Sequence, residues 1–233
     1  MPSASPATTS LLPLENGDHL SRSEFERRYA AMPHLKKAEL IEGVVYVPAA
    51  LRYRRHGKPH SDIMGWLVAY AAFTPGTEAA DNTTVRLDLD NEPQPDALLR
   101  IHEACGGQSH ISDDDYVQGA PELLVEIAAS SAAYDLYEKK TAYRRNGVQE
   151  YIVWQVMEKM ISWFFLDDGD YTLLQPDSQG VICSRTFPGL NLNIQALLDG
   201  NLAKVLTDVQ NGIATDAHQA FVNRLTDKLD TPI

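Results

Sequence analysis

The chain has 233 residues, 44% of them hydrophobic and 22% charged, enough apolar material for a core of its own; collagen-like, coiled-coil and wholly disordered readings are excluded. Its 20 basic residues face 32 acidic ones, a net charge of −12, which excludes a protein that coats nucleic acid through a basic surface. Any such role must come from a local patch or from metal ions that offset carboxylates. No apolar run approaches the roughly 18 residues that span a bilayer. Cys105 and Cys183 lie far apart without metal-ligand spacing, which fits a reducing cytoplasm.

Residues 1–17 read as a disordered leader, rich in Pro, Ser, Ala and Thr at its start and lacking the parts of a secretory signal. Ser21 or Ser23 caps a short helix with Glu24 and Glu26 in its first turn, ending near Met32-Pro33. Residues 38–47 predict a hairpin that turns at Glu42-Gly43. A basic stretch over 51–59 precedes a helix opened by His60, with Ile63, Met64, Leu67, Val68 and Ala71 at helical spacing and Thr74-Pro75-Gly76 as its stop.

Strands are expected over 83–89 and 94–101, then a polar loop over 102–119. The run 122–129, Glu-Leu-Leu-Val-Glu-Ile-Ala-Ala, predicts a strand buried on both faces. A helix over 132–146 and a strand over 151–156 complete a strand–helix–strand unit, the pattern of a parallel crossover. Residues 160–166 and 171–175 form a meander around Asp167-Asp168-Gly169-Asp170, and 201–229 predict an amphipathic helical tail, packed on the domain or on a second subunit. The fold class is a mixed sheet with helices on its faces, α/β or α+β, over 18–200, with the tail at 201–233.

The strongest chemical signal is a charge in an apolar place. Glu126 interrupts Leu123-Leu124-Val125-Ile127, and a buried carboxylate persists when a metal, a Lys or Arg, or a raised pKa offsets it. Asp96 follows Pro95 at the head of another apolar run; alone, Pro-Asp is common turn chemistry. Asp135, Lys139 and Tyr143 recur at i, i+4 and i+8 and so share one helix face, which also fits a surface Asp–Lys pair. Together, two carboxylates on neighbouring strands and a lysine on the next helix make a site for Mg²⁺ or Mn²⁺ with a cation beside it. Such a site can activate water and stabilise charge on a phosphate.

In order and spacing the chain resembles the Uma2-like endonucleases of the PD-(D/E)xK restriction-endonuclease-like superfamily. The residues that carry the likeness are 39–43, His60, Pro95-Asp96, 119–126, Asp135-x3-Lys139-x3-Tyr143 and 147–151. The resemblance implies a four- to five-stranded mixed core sheet flanked by helices. It casts Asp96 and Glu126 as metal ligands and Lys139, moved onto the following helix, as the catalytic lysine, because Ala128 stands at the usual lysine position. It also implies that Glu39 or Glu42 and His60 complete the pocket. The chain departs from the family where Ala129-Ser130-Ser131 replaces the usual Ser-Pro-Ser, and where Tyr151-Ile152 replaces Tyr-Trp.

Arg52, Arg54, Arg55 and Lys58, with Tyr53 among them, are the best local basic patch and would grip phosphates; a solvated loop is the plainer reading. Asp113-Asp114-Asp115 lacks the spacing of an EF-hand, and no phosphate-binding loop or nucleophile elbow occurs. The expectation is therefore a cytoplasmic, metal-dependent endonuclease acting on nucleic acid, DNA before RNA, and a homodimer through the tail or a sheet edge. The rivals are an inactive binding or scaffold protein on the same fold, and a two-carboxylate glycoside hydrolase that would ignore chelators.

Overall fold

The computed structural model of the protein describes residues 11–48, 50–129 and 132–229. Residues 1–10 of the expected leader and Ser130-Ser131 after Glu126 lie outside the described residues. Leu14 is already buried, and Gly17 N–H bonds the Val45 carbonyl at 2.8 Å, so the packed chain includes the end of that leader.

Helix α1 (Arg22–Ala30) has Ser21 at its N-cap position, yet the Ser21 hydroxyl pairs with Ser23 rather than capping the backbone. The hairpin β1 (Glu39–Ile41) and β2 (Val44–Tyr46) turns where predicted. Glu42 and Gly43 both have positive φ, 50° and 74°, as a tight two-residue hairpin requires. Helix α2 (Lys58–Ala71) begins earlier than His60, because a π-helical turn over Tyr53–Gly57 runs into it.

The next strand was not expected: β3 (Thr77–Asp81) follows the helix stop directly. The alternation over 83–89 yields only β4 (Val85–Arg86), and β5 (Ala97–Ile101) takes the place expected for 94–101. The region 102–119 is not all loop; β6 (His110–Ile111) and β7 (Val117–Gln118) join β4 in a small sheet.

Strand β8 (Leu123–Ala128) leads to helix α3 (Ala132–Tyr134), a π-helical turn over Asp135–Lys139 and α4 (Lys140–Arg145), then to β9 (Glu150–Gln155). The meander is β10 (Met160–Asp167) and β11 (Asp170–Leu173), followed by the pair β12 (Val181–Cys183) and β13 (Asn191–Asn193) and by α5 (Ile194–Leu198). The tail forms two helices, α6 (Leu202–Ile213) and α7 (Asp216–Leu229).

The main sheet has six strands in the order β11-β10-β9-β8-β5-β3. Only β8 and β9 are parallel, so the chain must cross over between them, and the helical stretch 132–145 does so. Strand alternation then sorts the β8 side chains. Leu123, Val125 and Ile127 join α2 and the tail in one buried cluster; Leu124 and Ala128 join Tyr143, Tyr151 and Val153 under the crossover helix in another. Glu126 shares the parity of Leu124 and Ala128, which aims it at that helix. Val205, Val209, Phe221 and Leu225 belong to the first cluster, so the apolar face of the tail is spent on its own chain. Among the described residues no helix is long and apolar enough to cross a membrane.

Candidate active site

The site assembles around the middle of the sheet. The antiparallel register of β5 and β8 pairs Ala97 with Val125, so the next position in the same register sets Asp96 opposite Glu126. Cross-strand partners present their side chains on one face. The bond from Ile127 N–H to Asp96 Oδ2, 2.7 Å, fixes one carboxylate oxygen and leaves Oδ1 for other partners. Lys37 Nζ lies 3.3 Å from that oxygen and His56 Nε2 lies 3.1 Å from it.

Lys139 descends from the crossover helix to meet the carboxylates. Its Nζ is 2.8 Å from Glu39 Oε1, 2.9 Å from Glu126 Oε1 and 3.9 Å from Asp135 Oδ1. Tyr143 OH donates to the same Glu126 oxygen at 2.8 Å, and Glu39 Oε1 also accepts from Gln94 N–H at 2.7 Å. Glu39, Asp96, Glu126, Asp135 and Lys139 are all buried. Both helices that enter the site carry π-helical turns. One holds Arg55 and His56, the other Asp135 and Lys139. Such turns shift the side-chain phase of a helix and recur at functional sites.

The electrostatics follow from this crowding. Burial pushes the Glu126 carboxyl up, Lys139 opposes the rise, and Asp96, Asp135 and Glu39 add to it. Burial works against charge on Lys139, but Glu126, Glu39 and Asp135 outweigh it and hold the ammonium form well past the usual lysine range. Burial would also raise Asp96; the contact from His56 and the charges of Lys37 and Lys139 win, and the carboxyl is held well below the usual range. Lys37 is likewise held charged, burial being outweighed by Glu39, Asp96 and Glu126.

The expected residues divide clearly. Asp96, Glu126, Lys139, Glu39, Asp135 and Tyr143 converge. Glu42 does not: it sits on the exposed hairpin turn, held by Arg145 and Asn91, because the turn points its side chain away from the sheet. His60 supports from behind, its Nε2 2.8 Å from the Asp96 backbone oxygen. Arg52 and Arg55 line the cavity of about 500 Å³ over the carboxylates. Arg54 is exposed and is not among the lining residues, and Lys58 is bound to Asp62 one helical turn along.

Sequence reasoning missed Lys37, His56 and Tyr134, which also line the cavity. His56 precedes His60 by four residues, the spacing of one helix face, and Lys37 precedes Glu39 by two, the spacing of one strand face; those were the signals available. Tyr134 packs against Tyr46 with ring centroids 4.1 Å apart and planes tilted by 34°, and Lys139 Nζ lies 5.4 Å from the Tyr134 ring.

A divalent cation fits the donor set through Asp96 and Glu126, hard oxygen ligands on the floor of a cavity that Lys37, Lys139, Arg52 and Arg55 also line. Among the described residues no group of three or more His, Cys, Asp or Glu side chains could hold a metal by itself. Mg²⁺ does not need one, because it is bound by one or two carboxylates with water and substrate phosphate completing its shell.

A mixed sheet flanked by helices, with one acid on a central strand, another just ahead of the neighbouring strand and a lysine on the crossover helix, is a nuclease-like fold. A crystal structure from Anabaena variabilis ATCC 29413, described as "a putative nuclease belonging to DUF820", is similar at a TM-score of 0.57. The two are 14% identical, and the match covers 74% of this chain and 96% of that one; at that identity the likeness is one of fold. The Uma2 family model, described as "Putative restriction endonuclease", matches residues 22–195, and the chain belongs to that family. No curated protein matches it.

Proposed function

We propose that the protein is a metal-dependent endonuclease that hydrolyses phosphodiester bonds of nucleic acid, with DNA as the expected substrate. The observation that carries this is the buried Glu126 opposite Asp96 with the Lys139 ammonium 2.9 Å away. Asp96 and Glu126 would hold Mg²⁺ or Mn²⁺, which when bound neutralises phosphoryl oxygens and makes water a better nucleophile. The Ile127 amide and Tyr143 hydroxyl hold those carboxylates in place. Lys139, kept charged, orients the attacking water and stabilises negative charge on the phosphate as the water oxygen bonds phosphorus and the ester oxygen leaves with a proton. Glu39 and Asp135 position Lys139, His60 steadies the backbone of Asp96, and Arg52 and Arg55 meet the flanking phosphates at the rim.

The test is cleavage of plasmid DNA in millimolar Mn²⁺. Cutting should stop with EDTA and fall by about 10²-fold or more in Glu126→Gln and in Lys139→Ala. No metal-dependent cutting of DNA or RNA would overturn the proposal in favour of a binding protein on the same fold. That second reading draws on one observation: the Lys139 amine already has two carboxylate partners. DNA cleavage that survived EDTA would overturn the metal dependence; the glycoside-hydrolase rival breaks no phosphodiester and would show itself as chelator-resistant hydrolysis of a glycoside with no cutting of DNA.

Two unpaired cysteines, Cys105 and Cys183, support a cytoplasmic setting. A homodimer would form through a sheet edge, β3 or β11, since the tail is engaged on its own core; light scattering at the monomer mass would contradict it.

A further inference from the structure

We infer that this site takes an unpaired nucleic-acid strand rather than the interior of a duplex, with Tyr53 as the platform on which one base stacks beside the scissile phosphate. The inference rests on the nuclease reading and names its substrate class.

The first observation is depth. Glu39, Asp96 and Glu126 are only 3%, 5% and 3% exposed, at the bottom of a cavity of about 500 Å³, the scale of a small-molecule pocket. Duplex DNA is stiff over about 150 base pairs and carries its phosphates on the outside of a wide rod. A phosphate fixed on that rod cannot be lowered into such a pocket. A flexible single strand can bend its backbone into the cavity.

The second observation is the rim. Leu51, Arg52 and Arg55 line the cavity, and Tyr53, next to Arg52 in the chain but outside the lining, is 74% exposed, with Leu51 at 62%. Residues 51–58 contain Arg52, Arg54, Arg55 and Lys58 and no acidic residue, in a chain of net charge −12. This segment is also held: Gly57 N–H bonds the Arg52 carbonyl at 3.2 Å, and Lys58 N–H bonds the Tyr53 carbonyl. An aromatic ring between cations on a fixed backbone is the arrangement by which single strands are bound, stacking on the ring and phosphates on the cations. A duplex keeps its base faces stacked internally and would leave Tyr53 and Leu51 exposed.

The test compares cleavage, in millimolar Mn²⁺, of a labelled DNA strand of about 16 nucleotides with the same strand annealed to its complement. The single strand should be cut at least about tenfold faster at equal concentration. Tyr53→Ala should raise KM for the single strand by about 5- to 150-fold with kcat within about twofold, and Tyr53→Trp should restore KM. Arg55→Gln should reduce the slope of log KM against log salt by about 0.7. Equal or faster cutting of the duplex, or an unchanged KM in Tyr53→Ala, would overturn the inference and leave the nuclease reading standing. Failure to cut either DNA, or RNA, would remove both.

Discussion

Lys139 Nζ lies 2.8 Å from Glu39 Oε1, although the two residues are 100 positions apart in the chain. One comes from the first hairpin and the other from the crossover helix, so this contact ties the N-terminal hairpin to the helix that packs on the main sheet. The same amine holds Glu126, and its removal would take the directly bonded cation from both buried carboxylates, leaving them only the charge of Lys37 nearby. Lys139→Met should therefore lose about 3–5 kcal/mol of stability in urea unfolding, and adding Glu39→Gln should recover part of that loss. A single substitution neutral to stability would show that the three groups are not coupled in solution.

Glu150 is a buried carboxylate outside the site, with a different task. It accepts from Ser184 Oγ, from the Arg185 and Thr186 amides and from Trp163 Nε1, all within 2.8 Å. It lies at the end of β9 away from the cavity and pins the 184–187 loop to the sheet. Glu150→Ala would orphan those donors and should cost about 3 kcal/mol or more in chemical denaturation. KM and kcat of the remaining folded enzyme should not change, which separates this acid from Glu126.

The pair Glu92 and Glu26 gives a pH dependence. Burial, with Glu26 adjacent, lifts the Glu92 carboxyl from 4.5 to about 8. Between those values the folded protein keeps a proton that the unfolded chain releases, so rising pH favours unfolding. This contribution should lower stability progressively from about pH 4.5 to 8, by at most about 1.4 kcal/mol per pH unit. Thermal melts of Glu92→Gln should lack that decline; an identical pH profile in both proteins would contradict the assignment.

How much of this was legible in the sequence depended on whether a residue's partner was local. Glu126 could be read because one carboxylate in an otherwise apolar strand is an anomaly on its own, and the crossover helix could be read because a parallel pair requires one. Strand β3 could not: Thr-Glu-Ala-Ala-Asp carries little strand preference, and only its pairing with β5 makes it a strand. The alternation over 83–89 misled for the converse reason, since only Val85 and Arg86 find a partner strand. His60 was legible as the residue that opens a helix and carries the family likeness, whereas His56, four residues earlier, lies in a turn that sequence periodicity does not reveal. The π-helical turn before α2 moves His56 onto Asp96 and leaves His60 on the Asp96 backbone. Glu39 and Glu42 were equivalent in sequence; the hairpin register separates them, turning one inward and the other to solvent. The amphipathic face of the tail was evident, but not that its target was the same chain's core.

The pairing of Asp96 with Glu126 is the claim on which the catalytic reading stands, and a crystal soaked in Mn²⁺ tests it most directly. The account predicts an anomalous peak within bonding distance of an oxygen from each of those two carboxylates, about 2.0–2.2 Å for a small divalent ion, and its loss in Asp96→Asn. Manganese bound elsewhere, with Asp96 still engaged by Ile127 N–H, Lys37 and His56 and Glu126 by Lys139 and Tyr143, would contradict it.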